Sequence, residues 1–238
     1  LLVEILNAPP TSAADLDLQR RAAQYSLRGG APMPALQFWY EFASTYSYPA
    51  AMRIEALAAA RGLTVAWRPF LLGPLFAGQG WRDSPFNLFP VKGRYMWRDL
   101  ERICDAAQLP LRRPDPFPQN PLLAARVATA LPQDARAAFS RAVYDAEFGR
   151  GLVIGERAVI STLLADLGHE VEATLTRAEA PLEKAALRAA VEEAIALGLP
   201  GAPCVVTPDG EVFWGNDRLE AAVEWTAGAV QNGVATPI

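Results

Sequence analysis

Two serines three residues apart carry the first chemical signal in this chain. They are Ser44 and Ser47, in the run Phe38-Trp39-Tyr40-Glu41-Phe42-Ala43-Ser44-Thr45-Tyr46-Ser47-Tyr48-Pro49-Ala50. The run reads as a buried strand that ends in small polar residues and passes straight into a helix. Ser44 then sits at the carboxyl end of the strand, beside the amino end of the helix. That is a common place for chemistry in an open α/β sheet. Backbone N–H groups there have no intrahelical partners, and the helix dipole favours negative charge. Ser44 therefore reads as the holder of an anion. It does not read as a nucleophile, because no base is at hand: His169 is the only histidine, and Gly168-His169-Glu170 looks like a helix boundary. Cys104 and Cys204 lie far apart and match no metal or redox spacing. With one His and two scattered Cys, a zinc site is not expected.

The elements that must position Ser44 follow from pattern. Ala35 to Phe42 is apolar and aromatic on both faces, as in a central strand covered by helices. A helix over 47–61 places Ala51, Ile54 and Ala58 on one face, and Gly62 ends it. Residues 63–69 form a second strand, stopped by Pro69. A strand-helix-strand connection of this length implies a parallel, right-handed unit. Residues 70–91 read as irregular, because Gly73-Pro74, Gly78, Gly80 and Pro85 interrupt any period.

Helices are then expected over 92–108, from Asn120-Pro121 onward, and over 134–148, 156–167, 170–178 and 181–197. Cys104 lies beside the apolar face of the first of these and is expected to be a buried, inert thiol. Asn120 serves as N-cap and Pro121 as N1 of the second. Strand character returns at 204–207 and 211–214 around a Pro208-Asp209-Gly210 turn. Asn216 or Asp217 then caps a last helix running to about residue 226. Residues 1–33 form an amino-terminal extension with one short helix.

Bulk properties narrow the function. The chain has 238 residues, 51% apolar and 20% charged, which suits a large folded core. A net charge of −4 gives no reason to expect nucleic acid or an anionic membrane as partner. The opening Leu1-Leu2-Val3-Glu4-Ile5-Leu6 is too short for a signal sequence and carries an acid, so a cytoplasmic location is expected.

Three stretches carry a family resemblance. Phe42-Ala43-Ser44-Thr45-Tyr46-Ser47-Tyr48 resembles the strand-end motif of 2-hydroxychromene-2-carboxylate isomerases and kappa-class glutathione transferases. Gly201-Ala202-Pro203-Cys204 resembles their Gly-Val-Pro-Thr turn, in which the proline is cis. Phe213-Trp214-Gly215-Asn216-Asp217-Arg218-Leu219 is similar to their Trp-Gly-Asn-Asp-Arg-Leu segment. Lys92 to Leu100 and Phe117-Pro118-Gln119-Asn120 add weaker matches in between. The sequence departs at Thr45, Ala202 and Cys204, where Pro, Val and Thr are usual. The implied fold is α/β: a DsbA-like thioredoxin fold with an all-helical domain (residues 71–197) inserted between a βαβ half (34–70) and a ββα half (198–228).

The resemblance also implies a chemistry. The cofactor is glutathione, and its sulfur is the nucleophile. Ser44 and Ser47 stand where relatives carry a Cys-x-x-Cys pair, so no disulfide can form, and Ser44 stabilises a bound thiolate. Ala202 and Pro203 pair strand-like with the glutathione backbone. Trp214, Gly215, Asn216 and Asp217 hold its γ-glutamyl end. A small aromatic carboxylate is the implied substrate, lying between the two substructures near Asn87 and Asn120. Trp81, Phe86, Phe89 and Tyr95 are candidate stacking partners, and Lys92, Arg94 and Arg113 candidate carboxylate partners. Thiolate addition turns a conjugated double bond into a rotatable single bond, and elimination then gives the trans isomer. The alternatives are a kappa-like transferase or peroxidase, and a redox-inactive binding module. Homodimers are usual in such proteins.

Overall fold

The computed structural model describes residues 35–231. The helix expected within residues 1–33 lies outside the described residues. Strand β1 (Ala35–Tyr40) leads into α1 (Ser47–Ala59) and β2 (Thr64–Pro69). Much later come β3 (Cys204–Val206), β4 (Val212–Trp214) and the closing helix α10 (Leu219–Gln231). The sheet order is β2-β1-β3-β4. β1 pairs in parallel with β2, from Ala35 opposite Thr64 to Tyr40 opposite Pro69. On its other side β1 runs antiparallel to β3, with Gln37 opposite Val206 and Trp39 opposite Cys204.

Period-2 alternation decides what each face of β1 buries. Leu36, Phe38 and Tyr40 join the larger core with Ile54, Trp67, Tyr144 and Val205. Trp39 turns to the other face and packs with Phe70, Leu75, Val191 and Cys204. Both faces are therefore dry, as the apolar run requires. Phe38, Tyr40 and Trp67 meet edge to face or stacked at centroid distances of 5.0–5.5 Å. Each such pair contributes about 0.5–1.5 kcal/mol beyond the area it buries. Gly62 closes α1: it takes φ of +69°, and the Leu63 N–H reaches back 3.0 Å to the Ala58 carbonyl.

The stretch expected to be irregular contains two short helices, α2 (Leu72–Gly78) and α3 (Pro85–Leu88). Neither is long enough to show a period, and Ser84 Oγ caps the second by accepting from Phe86 N–H. Helix α4 (Pro90–Ala107) follows. Asn120 behaves as expected in kind: its Oδ1 accepts from Leu122 N–H at 3.0 Å, although α5 (Leu122–Ala130) starts one residue later than the Pro121 reading.

Helix α6 (Gln133–Tyr144) does not continue to Phe148. It widens at Tyr144 into a π-helical turn, Asp145–Gly149. Then come α7 (Arg157–Asp166), α8 (Val171–Ala178) and α9 (Pro181–Ala196). Arg136 on α6 ties several pieces together. It donates to the carbonyls of Ala128, Thr129 and Leu131 at the end of α5 and to Trp67 on the edge strand β2, at 2.6–3.0 Å. Gln133 also accepts from the Trp67 N–H at 2.9 Å. The Trp67 N–H and carbonyl on this open edge of the sheet are thus satisfied by side chains. The closing helix runs on to Gln231, past the expected end near Thr226.

The π-helical turn places Glu147 in the interior. Its carboxyl is fully buried and neither oxygen has a hydrogen-bond partner among the described residues. Glu41, just after β1, is also buried. Burial lifts the Glu41 carboxyl from its ordinary 4.5 to about 8. Burial, and after it the nearby Glu41, lifts Glu147 well above the carboxylate range.

The folded state thus keeps protons that the unfolded carboxyls release. This contribution to stability is whole below pH about 4.5 and is lost as the pH rises through about 8. The melting temperature of the wild type should therefore fall between pH 5 and 8. Glu147→Gln should fall distinctly less when both are followed by thermal unfolding. Parallel pH profiles would contradict the assignment.

Candidate functional site

Ser44 lies where β1 ends and α1 begins, and it is half-buried. A tight turn fixes it there: its N–H donates to the Glu41 carbonyl at 3.0 Å, and its own carbonyl accepts from Ser47 N–H at 3.1 Å. Its hydroxyl donates to the Ala202 carbonyl, 3.0 Å away and 158 residues along the chain. The N–H groups of Thr45 and Tyr46 have no acceptor among the described residues. The amino end of α1 therefore presents free donors beside the Ser44 hydroxyl, the arrangement that attracts an anion.

The loop opposite comes from residues 201–217. The Ala202–Pro203 peptide bond is cis. The two backbone groups of Ala202 differ. Its N–H is unpaired among the described residues, but its carbonyl is taken by Ser44. Gly215 N–H donates to the Pro203 carbonyl at 2.9 Å. Gly215 has φ of +119°, and a Cβ there would lie 2.5 Å from Asp217 Oδ1, so a side chain would collide as well as strain the backbone. Trp214, more than half exposed, lies against Gly201, where an added Cβ would approach its Nε1 to 3.0 Å. Contacts thus link Ser44 to Ala202, Pro203 to Gly215, and Trp214 to Gly201.

Asn216 and Asp217 divide the roles that sequence reasoning left joined. Neither caps α10, because a 3-10 turn over Asn216–Arg218 intervenes and makes no side-chain cap. Asn216 is buried instead, gripped by Arg53 of α1: Nε donates to its Oδ1 at 3.2 Å and Nη2 to its carbonyl at 2.6 Å. Arg53 is held in turn by Glu220. Asp217 points to solvent, with Arg218 its one ion-pair partner among the described residues, 3.7 Å away.

Asn87 and Asn120 are both engaged by neighbouring chain. Asn87 Nδ2 donates to both oxygens of Asp83 at 3.2 Å. Asn120 is committed to the start of α5. The aromatic candidates scatter. Trp81 packs on Phe76, Phe89 lies under the Lys92 ammonium, Tyr95 faces Arg102 near the Tyr46–Asp99 pair, and Phe86 meets the Tyr46 ring at 6.4 Å.

Two electrostatic features escape sequence reasoning. The first is a floor of neutral acids. The Glu41 carbonyl accepts from Ser44 N–H and from the Tyr144 hydroxyl, the latter at 2.9 Å, so the Glu41 backbone supports the Ser44 turn directly. Because burial keeps Glu41 and Glu147 protonated near neutral pH, they place no negative charge under the anion site. One signal was available: Glu147 falls four residues after Val143, on the apolar stripe of its helix. The second is the state of Cys204. Its thiol is buried, donates to the Gly201 carbonyl, and is pushed by burial to about 12. It is inert. Cys104 is buried as expected and lifted to about 11. No group of acidic, Cys or His residues among the described residues could hold a metal.

Known proteins resemble this chain over most of its length. A 2-hydroxychromene-2-carboxylate isomerase of Sphingobium xenophagum is 29% identical over 186 residues, covering 78% of this chain and 94% of that protein. A solved 2-hydroxychromene-2-carboxylate isomerase superposes with a TM-score of 0.75 at 24% identity, over 85% of this chain and 99% of the other. The cytosolic disulfide reductase DsbM from Pseudomonas aeruginosa, solved with GSH, gives a TM-score of 0.54 at 20% identity, over 83% and 98%. The model of the DSBA-like thioredoxin domain matches residues 35–224. The chain belongs to the DsbA-like thioredoxin domain family, and it does so with serines at the strand–helix junction.

Proposed function

We propose that this protein is a glutathione-dependent isomerase of 2-hydroxychromene-2-carboxylate or a similar aromatic unsaturated keto acid. The observation that carries the reading is the Ser44 hydroxyl, bonded to the Ala202 carbonyl at 3.0 Å beside the unpaired N–H groups of Thr45 and Tyr46. In this reading the cysteine sulfur of glutathione takes its place beside these donors. The named similarity to two isomerases and to a glutathione-bound reductase supports the substrate and the cofactor.

In this reading glutathione lies along residues 202–203. Its cysteine N–H takes over the Ala202 carbonyl, and its cysteine carbonyl accepts from the free Ala202 N–H, as an added strand would. The Ser44 hydroxyl, released from Ala202, turns to the sulfur. Ser44 and the helix end then lower the thiol pKa from its ordinary value of about 8.5, so the thiolate prevails near neutral pH. The exposed Asp217 carboxylate meets the γ-glutamyl ammonium, while Trp214 and Gly215 wall that end. Asn216 acts indirectly: clamped by Arg53, it fixes the turn that presents Asp217.

The hemiketal ring of the substrate first opens, its ring carbon–oxygen bond breaking as the hydroxyl proton passes to the phenolic oxygen. The thiolate then adds to the conjugated carbon of this cis keto form, and the electrons of the double bond shift through the conjugated system onto the keto oxygen. The resulting single bond rotates. The pair returns, the carbon–sulfur bond breaks, and the trans product leaves with glutathione regenerated. The protein supplies thiolate stabilisation and positioning.

Ser44→Ala should lower kcat with a chromene carboxylate by roughly 100-fold, with circular dichroism unchanged. Undiminished turnover would overturn the reading. Faster reaction with an aryl halide than with the chromene carboxylate would make the protein a transferase instead. Asp217→Asn should raise the KM for glutathione about tenfold and leave kcat nearly intact. A fall in kcat with constant KM would remove Asp217 from the glutathione site.

A further inference from the structure

Helix α1 begins without the usual means of closing its amino end. No side chain caps it, and no acid stands in its first turn. Thr45 Oγ1 lies just ahead of the helix, but it is buried and has no hydrogen-bond partner among the described residues. The N–H groups of Ser47 and Tyr48 are taken by the Ser44 and Thr45 carbonyls, at 3.1 and 3.3 Å, so the free donors are those of Thr45 and Tyr46. A helix end that its own segment neither caps nor neutralises keeps these donors aimed only if it is held from outside.

Two tyrosines make that hold. Tyr46 donates to Asp99 Oδ2 at 3.0 Å, and Tyr48 donates to the Pro110 carbonyl at 2.7 Å. Asp99 lies on α4 and Pro110 just beyond it, in the helical stretch between β2 and β3. That stretch therefore grips the first turn of α1 at two points, 53 and 62 residues away along the chain.

The two grips differ in kind. Tyr48 is fully buried, stacks on Phe148 at 5.6 Å and bonds to main chain, so it belongs to the core. Tyr46 is half-buried, and its own N–H is one of the free donors. Its partner carries a charge, and that charge is managed. Asp99 Oδ1 accepts from Arg102 Nη2 at 2.9 Å, and the Arg102 guanidinium lies 5.8 Å over the Tyr95 ring. The arginine fixes the carboxylate so that Oδ2 faces Tyr46. It also sets a positive charge beside Asp99, which weakens the repulsion of an anion at the helix end.

We infer that Asp99 is a positioning residue for the Ser44 site: held by Arg102, it clamps Tyr46 and keeps the Thr45 and Tyr46 N–H groups aimed beside the Ser44 hydroxyl. The inference rests on the glutathione reading for the identity of the anion, and on the structure alone for the clamp. Asp99 acts through Tyr46 and not on the ligand.

Three variants of the full chain test it. Tyr46→Phe keeps the ring against Phe86 and removes only the hydroxyl. Asp99→Leu removes the acceptor, and Asp99→Asn restores an acceptor oxygen. Circular dichroism checks that each is folded, and Tyr46→Phe alone suffices should Asp99→Leu fail to fold. In the free protein, nitrogen-15 relaxation should give the Thr45 and Tyr46 amides order parameters near the rigid value of about 0.85, falling toward about 0.6 in Tyr46→Phe and Asp99→Leu. The acid constant of the bound glutathione thiol should drop about three- to tenfold in the same two variants and stay within about twofold of wild type in Asp99→Asn. The double variant Tyr46→Phe/Asp99→Leu should lose no more than either single one, because both break the same bond. Unchanged order parameters in Tyr46→Phe would overturn the clamp. Additive losses in the double variant, or no rescue by asparagine, would remove Asp99 as the residue acting through Tyr46. A wild-type complex whose thiol titrates like free glutathione would defeat the glutathione reading instead, and the order parameters of the free protein would then decide the clamp by themselves.

Discussion

β1 is hydrogen-bonded along both edges, and that constraint governs the rest of the molecule. Its parallel partner β2 is close in sequence, while its antiparallel partner β3 arrives after more than 130 intervening residues. The carboxyl end of β1 therefore faces the turn that precedes β3. A single side-chain bond, Ser44 to Ala202, spans the junction. Such a bond contributes only about 1 kcal/mol net, so it does not hold the fold together. Sheet pairing and two dry cores do that. The bond instead reports how closely the sheet brings a hydroxyl, a helix end and a backbone edge into one place.

The same strand explains the electrostatics under the site. A strand buried on both faces must hand over to a helix inside the core, and the chain makes that turn at Glu41. Placing a carboxyl there is costly if it ionises, so the group stays protonated, as does Glu147 from the π-helical turn below. Tyr144 ties that turn to the Glu41 carbonyl. An anion above Ser44 thus meets donors from the helix end and no opposing charge from beneath.

Much of this was legible in the sequence because it rests on local signals. The aromatic run from Phe38 to Phe42, the helical spacing of Ala51, Ile54 and Ala58, and the Pro208-Asp209-Gly210 turn identify their elements without tertiary help. So do Ser44 and the Ala202-Pro203 loop, which carry recognisable motifs. Features created by contacts across the chain were not legible. Arg53 reaches Asn216 over 163 positions, and no local rule foretells that this asparagine is clamped rather than free or capping. Helices α2 and α3 are too short for periodicity to reveal. The π-helical turn interrupts a pattern that otherwise reads as one helix through Phe148.

The central claim is that the Ser44 junction stabilises a thiolate that the protein does not itself provide. The most direct measurement is the ultraviolet thiolate absorbance of bound glutathione, followed against pH in the wild type and in Ser44→Ala. The account predicts a bound thiol pKa at least about one unit below the free value in the wild type, returning most of the way in the variant. A bound thiol that titrates like free glutathione in both proteins would contradict it.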